Sequence, residues 1–393
     1  MTEVTHARRR AVLLLICIVV LFMAIGFRRL GDFESFYIAG GQFLKRLNPY
    51  DPQLYKTYGS FGMSSLPPAI VLTCLPCLLP LYAAIPMWDI ICLLLWSASL
   101  YLWAELLWGE AVDLPLFSRL CAASLMAPLC WAFGTHQVIV PVLFFATLAC
   151  WSMRRNNSGW AGFATGLMLM KPHLTILLAG VLLLKSKRRI LFIATLAAGL
   201  ILLYLPFMNT IRPISDLRAW RQTIQRQQSE VFYLDEQGIA GRFASIFPLV
   251  SHADAKASSG PGILIPQSKG RLLSRFKTVF WIIGCGLWAL WGASRYKRMN
   301  DLSLYATALA WSLLISPYSH FYDGVMLIPL IIMCIPKTDR FQQLSKPLLV
   351  PFTFNLFVII LVVLANRYSF YMWPLMGWTS VAYCAFAAWM VFC

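Results

Sequence analysis

Apolar runs about as long as a bilayer crossing recur along nearly all of this chain, and no other feature restricts its fold as strongly. A helix needs roughly 20 predominantly apolar residues to cross the hydrocarbon of a membrane. Backbone polar groups in lipid must be satisfied within the segment, so each crossing has to be helical. The chain is 59% hydrophobic and 12% charged, whereas soluble domains carry charge at about a quarter of positions. The fold class expected is an all-α polytopic membrane protein of about twelve transmembrane helices, with residues 1–393 forming a single transmembrane domain.

The order of the spans follows from charge. Arg8, Arg9 and Arg10 precede the first apolar run and hold the N-terminus in the cytoplasm. That run, about 11–27, reads as a retained span, because no small-residue cleavage site follows it. Residues 28–66 are then an external loop. Within it Phe33, Phe36, Tyr37, Phe43 and Leu44 fall at helical spacing. They predict a helix lying in the interface with one face in lipid. Asn48-Pro49-Tyr50-Asp51-Pro52 ends it.

Prolines 67, 68, 76, 80 and 86 break the next apolar stretch, so 67–80 reads as short or re-entrant and about 85–107 as a full span. Further spans are expected at about 118–133, 137–153, 159–171, 173–184, 189–207, 275–294, 302–316, 321–335, 347–365 and 372–392. This count puts the basic clusters at Arg154-Arg155, Lys185 to Arg189, Arg295 to Arg298 and Lys337 to Lys346 all in the cytoplasm. Residues 208–274 become a large external loop, with a helix expected over 213–232 and a flexible turn over 260–266. The net charge of +17 is spread over span ends and this loop. Lipid phosphates are therefore the expected anionic partner, and nucleic acid is not.

The same count gathers polar residues at the external face: Asp32, His136-Gln137, Lys171-Pro172-His173, and His320 with Asp323. Ionisable groups at membrane depth are costly and are candidates for function. Asp32 is the candidate general base, able to take a proton from an attacking alcohol; the competing reading is a solvated acid beside Arg28 and Arg29. Lys171 is read as a lone ammonium at a proline helix break, with a phosphate as the anion it needs. The competing reading is a lysine that snorkels to the interface. His173 and His320 are candidate phosphate donors, against an interfacial histidine and a span-fixing His320–Asp323 pair. Asp323 is a candidate to orient a neighbouring histidine or to bind sugar hydroxyls. Scattered histidines and few acids form no recognisable metal site, and no cofactor is expected. The eleven cysteines sit mostly inside apolar runs and form no disulfide framework; Cys74 and Cys77 have no nearby ligand type.

Six segments, in order, resemble glycosyltransferase family 87, polytopic enzymes of the GT-C architecture. GDFESFYIAGGQFLKRLNPYDP is similar to the family's opening Asp-aromatic to Pro-Tyr segment. SLPPAIVLTCLPCLLP is similar to its Tyr-Pro-Pro stretch, with Leu66 where Tyr is usual. GTHQVIVPVLFF resembles its Gly-Gln segment, with Thr135-His136 between Gly134 and Gln137. GWAGFATGLMLMKPHLTILLAG resembles its Gly-rich span ending in Lys-Pro. EQGIAGRFASIF carries Gln237, Gly241 and Arg242, and SPYSHFYDGVMLIPL its Ser-Pro and Tyr-Asp pair. The likeness covers about residues 10–335.

The resemblance implies a GT-C-like fold with an external catalytic face at a bacterial cytoplasmic (inner) membrane. It implies inverting transfer of a hexose, with mannose favoured, or a pentose from a polyprenyl-phosphate donor to a glycan or glycolipid acceptor of the cell envelope. Asp32 is then the catalytic base. Lys171, His173, His320 and Arg242 hold the donor phosphate, and Tyr37, Tyr50, His136, Gln137, Gln237 and Asp323 contact substrate. The alternative function is a transporter or flippase of lipid-linked sugars. It needs the same cationic cavity but no base, and it predicts internal pseudo-symmetry with paired broken helices. A non-catalytic assembly partner is a third reading. Transfer from a radiolabelled polyprenyl-phosphate sugar separates the three.

Overall fold

In the computed structural model the described residues are 33–51, 67–109, 127–208, 218–224, 231–233, 262–264, 267–295 and 299–333, with single positions between 117 and 124. They are helical apart from one short strand pair. In chain order the helices are α1 (Phe33–Leu44), α2 (Pro67–Thr73), a 3-10 turn (Pro76–Leu78), α3 (Leu81–Trp108), α4 (Ala127–Gly134), α5 (Ile139–Arg154), α6 (Ser158–Met168), α7 (Pro172–Lys185) and α8 (Arg189–Met208). After β1 (Val231–Tyr233) and β2 (Gly262–Leu264) come α9 (Gln267–Arg295), α10 (Asp301–Ile315), a 3-10 helix (Phe321–Leu327) and α11 (Ile328–Met333).

Two helices are long and apolar enough to cross a membrane, Leu81–Trp108 and Ser268–Arg295. The other apolar helices are shorter, so the described residues do not reach the expected count of about twelve. The segments expected at 11–27, 347–365 and 372–392 lie outside the described residues. Both long helices, and α8, turn large apolar side chains outward. Ile90 and Leu94 on α3, Ile193 and Ile201 on α8, and Val279, Ile282, Leu287 and Leu290 on α9 are all exposed.

Helix boundaries follow local chemistry. Gly109 closes α3 in left-handed backbone at φ 68, its N–H donating to the Glu105 carbonyl. Asn157 caps α6, its side chain accepting from the Trp160 N–H. Asn300 caps α10 the same way through the Leu302 N–H. Pro172 occupies the first turn of α7, where its missing N–H costs nothing. The chain between Met168 and Pro172 is therefore a true break in what would otherwise be one long apolar helix.

The inner stripe of α3 is Trp88, Cys92, Trp96, Leu100 and Trp103, spaced at three and four residues, and all are buried. The Trp103 indole N–H donates to Thr147 on α5 at 2.9 Å. Helix α6 lies against α8 through glycines. A side chain at Gly162 would run into the Phe192 carbonyl and Thr195, and one at Gly166 into the Leu196 carbonyl and Gly199. Small residues at this spacing let two backbones meet, which matters where no hydrophobic effect drives helices together.

Four expectations change here. The face of α1 expected in lipid is covered in part by protein: Phe33 and Phe36 are buried, with Phe33 6.2 Å from Trp88, while Leu44 is exposed. Its periodicity marks a buried face without saying what buries it. Within 213–232, residues 218–224 are helical but Val231–Tyr233 is a strand. That strand pairs antiparallel with Gly262–Leu264, inside the stretch expected to be a flexible turn. The span expected over 321–335 begins instead as a 3-10 helix, and only Ile328–Met333 is α-helical.

Candidate active site

Three ion pairs and one histidine–carboxylate contact sort the helices by end. Parallel helices α3 and α5 are tied at their C-termini, where Glu105 accepts from Arg155 and from the Trp151 indole N–H at 2.9 Å. Nearer their other ends, His136 Nδ1 just before α5 and Asp89 Oδ1 in the third turn of α3 lie 2.8 Å apart. Antiparallel helices α7 and α10 are tied at one end by Lys185 and Asp301, 2.6 Å apart. At the other end Lys171 Nζ lies 2.7 Å from Asp323 Oδ1. A bond of 3.0 Å between the Ser158 and Ser186 hydroxyls joins the start of α6 to the end of α7, so Arg155 and Lys185 share one end. The 3-10 helix carrying Asp323 packs on α4 and α5, which flank His136, so the Lys171–Asp323 and Asp89–His136 pairs sit on touching elements at the other.

The first cluster at that end is built on the break between α6 and α7. Lys171 precedes Pro172, and its ammonium faces Asp323, a residue 152 positions away whose side chain is 0% exposed. Asp323 is fixed in turn, its second oxygen accepting from the His320 N–H at 2.9 Å. The Tyr322 ring lies beneath the ammonium, 4.7 Å from its centroid. Such an approach adds cation–π attraction. His320 stacks on Tyr322 with centroids 5.2 Å apart. His173, on the first turn of α7, lies within electrostatic reach of Lys171, His320 and Asp323, and its Nε2 is buried with no hydrogen-bond partner. This corrects the reading of Lys171 as a lone ammonium: its anion is Asp323, and no ligand is needed to neutralise it.

The second cluster surrounds His136. Its ring is buried, and the Phe33 ring meets it edge-on at 5.6 Å. Its carbonyl accepts from the Trp88 indole N–H at 3.0 Å. Gln137 beside it is buried as well. Asp89 had no place among the expected site residues. Its signal was nonetheless present, an acid inside the apolar run PMWDIICLLLW.

The remaining expected site residues are scattered. The Tyr37 hydroxyl donates to the Leu79 carbonyl at 2.8 Å and so ties α1 to the 3-10 turn. Tyr50 is buried, its N–H donating to the Asn48 side chain. Asp32, Gln237 and Arg242 lie outside the described residues. Among the described residues no group of three acidic, histidine or cysteine side chains is placed to hold a metal ion. An open groove beside Lys187, Arg188 and Arg189 lies at the Arg155 and Lys185 end, away from both clusters.

The profile of glycosyltransferase family 87 matches residues 67–317, more than half of the chain. The chain belongs to glycosyltransferase family 87. It is accordingly a glycosyltransferase. No curated protein and no solved structure matches it. The family match takes in Asp89, His136, Lys171 and His173. It starts after Asp32 and stops before His320 and Asp323.

Proposed function

We propose that this family 87 glycosyltransferase transfers a sugar from a polyprenyl-phosphate donor to a cell-envelope glycan or lipid acceptor, with inversion, at the outer face of a bacterial cytoplasmic membrane. The donor sugar is a hexose, mannose being favoured, or a pentose. The chain is one transmembrane domain of the GT-C type with about twelve spans, and residues 28–66 and 208–274 are external.

Asp32 takes the proton of the acceptor hydroxyl. The acceptor oxygen forms its bond to the anomeric carbon from the face opposite the phosphate. The carbon–oxygen bond to phosphate breaks, and its electron pair leaves with the polyprenyl phosphate. Lys171 meets the charge that grows on that leaving group, with His173, His320 and Arg242 as further donors. Asp323 sets the position of Lys171 and accepts from sugar hydroxyls. Tyr37, Tyr50, His136, Gln137 and Gln237 complete the substrate contacts.

The observation that carries this reading is the buried Lys171–Asp323 pair on a helix break, braced by Tyr322 and surrounded by two histidines. A buried ion pair is an expensive way to join two helices. At its far end α7 is joined to α10 by a more exposed pair. Lysine retains donors beyond the one used on Asp323, so it can hold its partner and a substrate oxygen together.

Transfer from polyprenyl-phosphate mannose, in membranes carrying the wild type or Asp32→Asn, tests the mechanism. Loss of a general base lowers the rate by about 10²–10⁴-fold. Full activity in Asp32→Asn removes Asp32 from the chemistry. Cysteine labelling from either side of the membrane tests the site's location. Residues 31–34 and the Lys171 break must label from the same, outer side.

A further inference from the structure

His136 carries a cost at its ring that a purely structural histidine avoids. Its left-handed backbone, at φ 54, is an ordinary helix cap, the His136 N–H donating to the Phe133 carbonyl and the Gln137 N–H to the Ala132 carbonyl, as the chain also does at Arg46 and Asn156. Its ring is completely buried, yet Nε2 has no hydrogen-bond partner. A buried ring nitrogen left unpaired is a net loss. Everything else about the residue is over-determined. Nδ1 is held by Asp89, the carbonyl by the Trp88 indole, and the ring edge by Phe33. A tie between helix α3 and the turn before α5 needs only the Nδ1 contact. It gives no reason for the second nitrogen to be kept bare.

An ionised carboxylate can only accept, so the 2.8 Å contact places the ring proton on Nδ1. In the neutral ring Nε2 then presents a lone pair. That lone pair repels a phosphate oxygen and attracts a hydroxyl proton. We infer that Asp89 is a positioning residue which fixes the tautomer of His136, so that Nε2 accepts a hydrogen bond from a hydroxyl of the sugar substrate. The inference rests on the transfer reaction proposed above and gives it a hydroxyl-reading group apart from the Lys171 cluster. Sites built to hydrogen-bond a hydroxyl discriminate strongly against analogues that lack it.

The test uses the full chain in lipid nanodiscs with ¹⁵N-labelled histidine; there are five histidines to resolve. His136→Asn assigns the signal, and it suits the left-handed backbone, which Asn tolerates. The expected spectrum shows His136 protonated on Nδ1, with an Nε2 resonance that moves when methyl mannoside or methyl arabinofuranoside is added. In Asp89→Asn the proton shifts toward Nε2 and that response is lost. With polyprenyl-phosphate mannose or arabinofuranose as donor, Asp89→Asn and His136→Asn raise the KM of a sugar substrate about tenfold and change kcat less. A proton on Nε2 in the wild type, an Nε2 resonance indifferent to both glycosides, or an unchanged KM in folded Asp89→Asn each overturns the inference. If the wild type transfers from neither donor, the donor assignment falls, while the tautomer and the glycoside response still judge Asp89. If Asp89→Asn fails to fold, His136→Asn carries the KM measurement.

Discussion

The two ends of this helix bundle solve the same joining problem with opposite materials. At one end Arg155 meets Glu105 and Lys185 meets Asp301, with Arg155 57% and Asp301 46% exposed. At the other end Lys171 meets Asp323 and His136 meets Asp89, with Asp323 and His136 both 0% exposed. Helices α3 and α7 take part at both ends. Exposed pairs contribute at most about 1 kcal/mol each and tolerate loss. Buried pairs carry a desolvation cost that only good geometry offsets. In the proposed mechanism the chemistry lies at the end that holds the expensive pairs. The orphaned Nε2 atoms of His136 and His173 lie there too.

The largest expected effect comes from cutting the deepest pair. Asp323→Ala strands the Lys171 ammonium, which is only 11% exposed, and should destabilise the protein by about 3–5 kcal/mol. Thermal unfolding in detergent, followed by tryptophan fluorescence, measures this. Replacing both partners, as Lys171→Met with Asp323→Leu, should restore most of the stability, because a buried pair exchanged for apolar side chains is often neutral. Glycosyl transfer should stay absent in the double variant. A stable double variant that still transfers sugar would make the pair structural and dissolve the contrast between the ends.

A smaller effect is expected from the packing that positions the break before Lys171. Gly166→Val forces a side chain into the Leu196 carbonyl of α8, and overpacking of this kind costs about 1–3 kcal/mol. Its partner experiment is Gly180→Ala in α7, where an added Cβ meets nothing within 4 Å. That change should stabilise by up to about 1 kcal/mol through helix propensity. Transfer should fall in Gly166→Val and hold in Gly180→Ala. Equal effects would mean that the α6–α8 contact does not set the site.

Much of this arrangement was legible along the chain, and the rest was not for definable reasons. The break at Met168–Pro172 was readable because proline and its predecessor constrain the backbone locally. The boundaries at Asn157 and Asn300 carried capping residues whose action spans two or three positions. The partner of Lys171 was hidden because Asp323 is distant in sequence and joined to it only by folding. Asp89 was visible as an acid in an apolar run but was absorbed into a span, since hydropathy averages over a window. The face of α1 is legible as a stripe, but spacing does not say whether lipid or protein covers it, and protein covers Phe33 and Phe36. The strand pair of residues 231–233 and 262–264 is too short and too separated for period-two alternation to show.

The smallest expected effects lie at the exposed end, and they decide whether the contrast is real. Glu105→Gln removes the charge facing Arg155 but leaves an acceptor for the Trp151 indole, and Arg155 also rests over the Trp151 ring at 4.3 Å. The loss should be about 1 kcal/mol or less, and smaller again at high salt. Asp301→Asn should behave alike, because Asn remains a good first-turn residue after the Asn300 cap. Both variants should keep transfer near the wild-type rate. If Asp301→Asn proves as damaging as Asp323→Ala, exposure is not what separates the two ends. The assignment of chemistry to the Lys171 and His136 end would then lose the contrast that supports it.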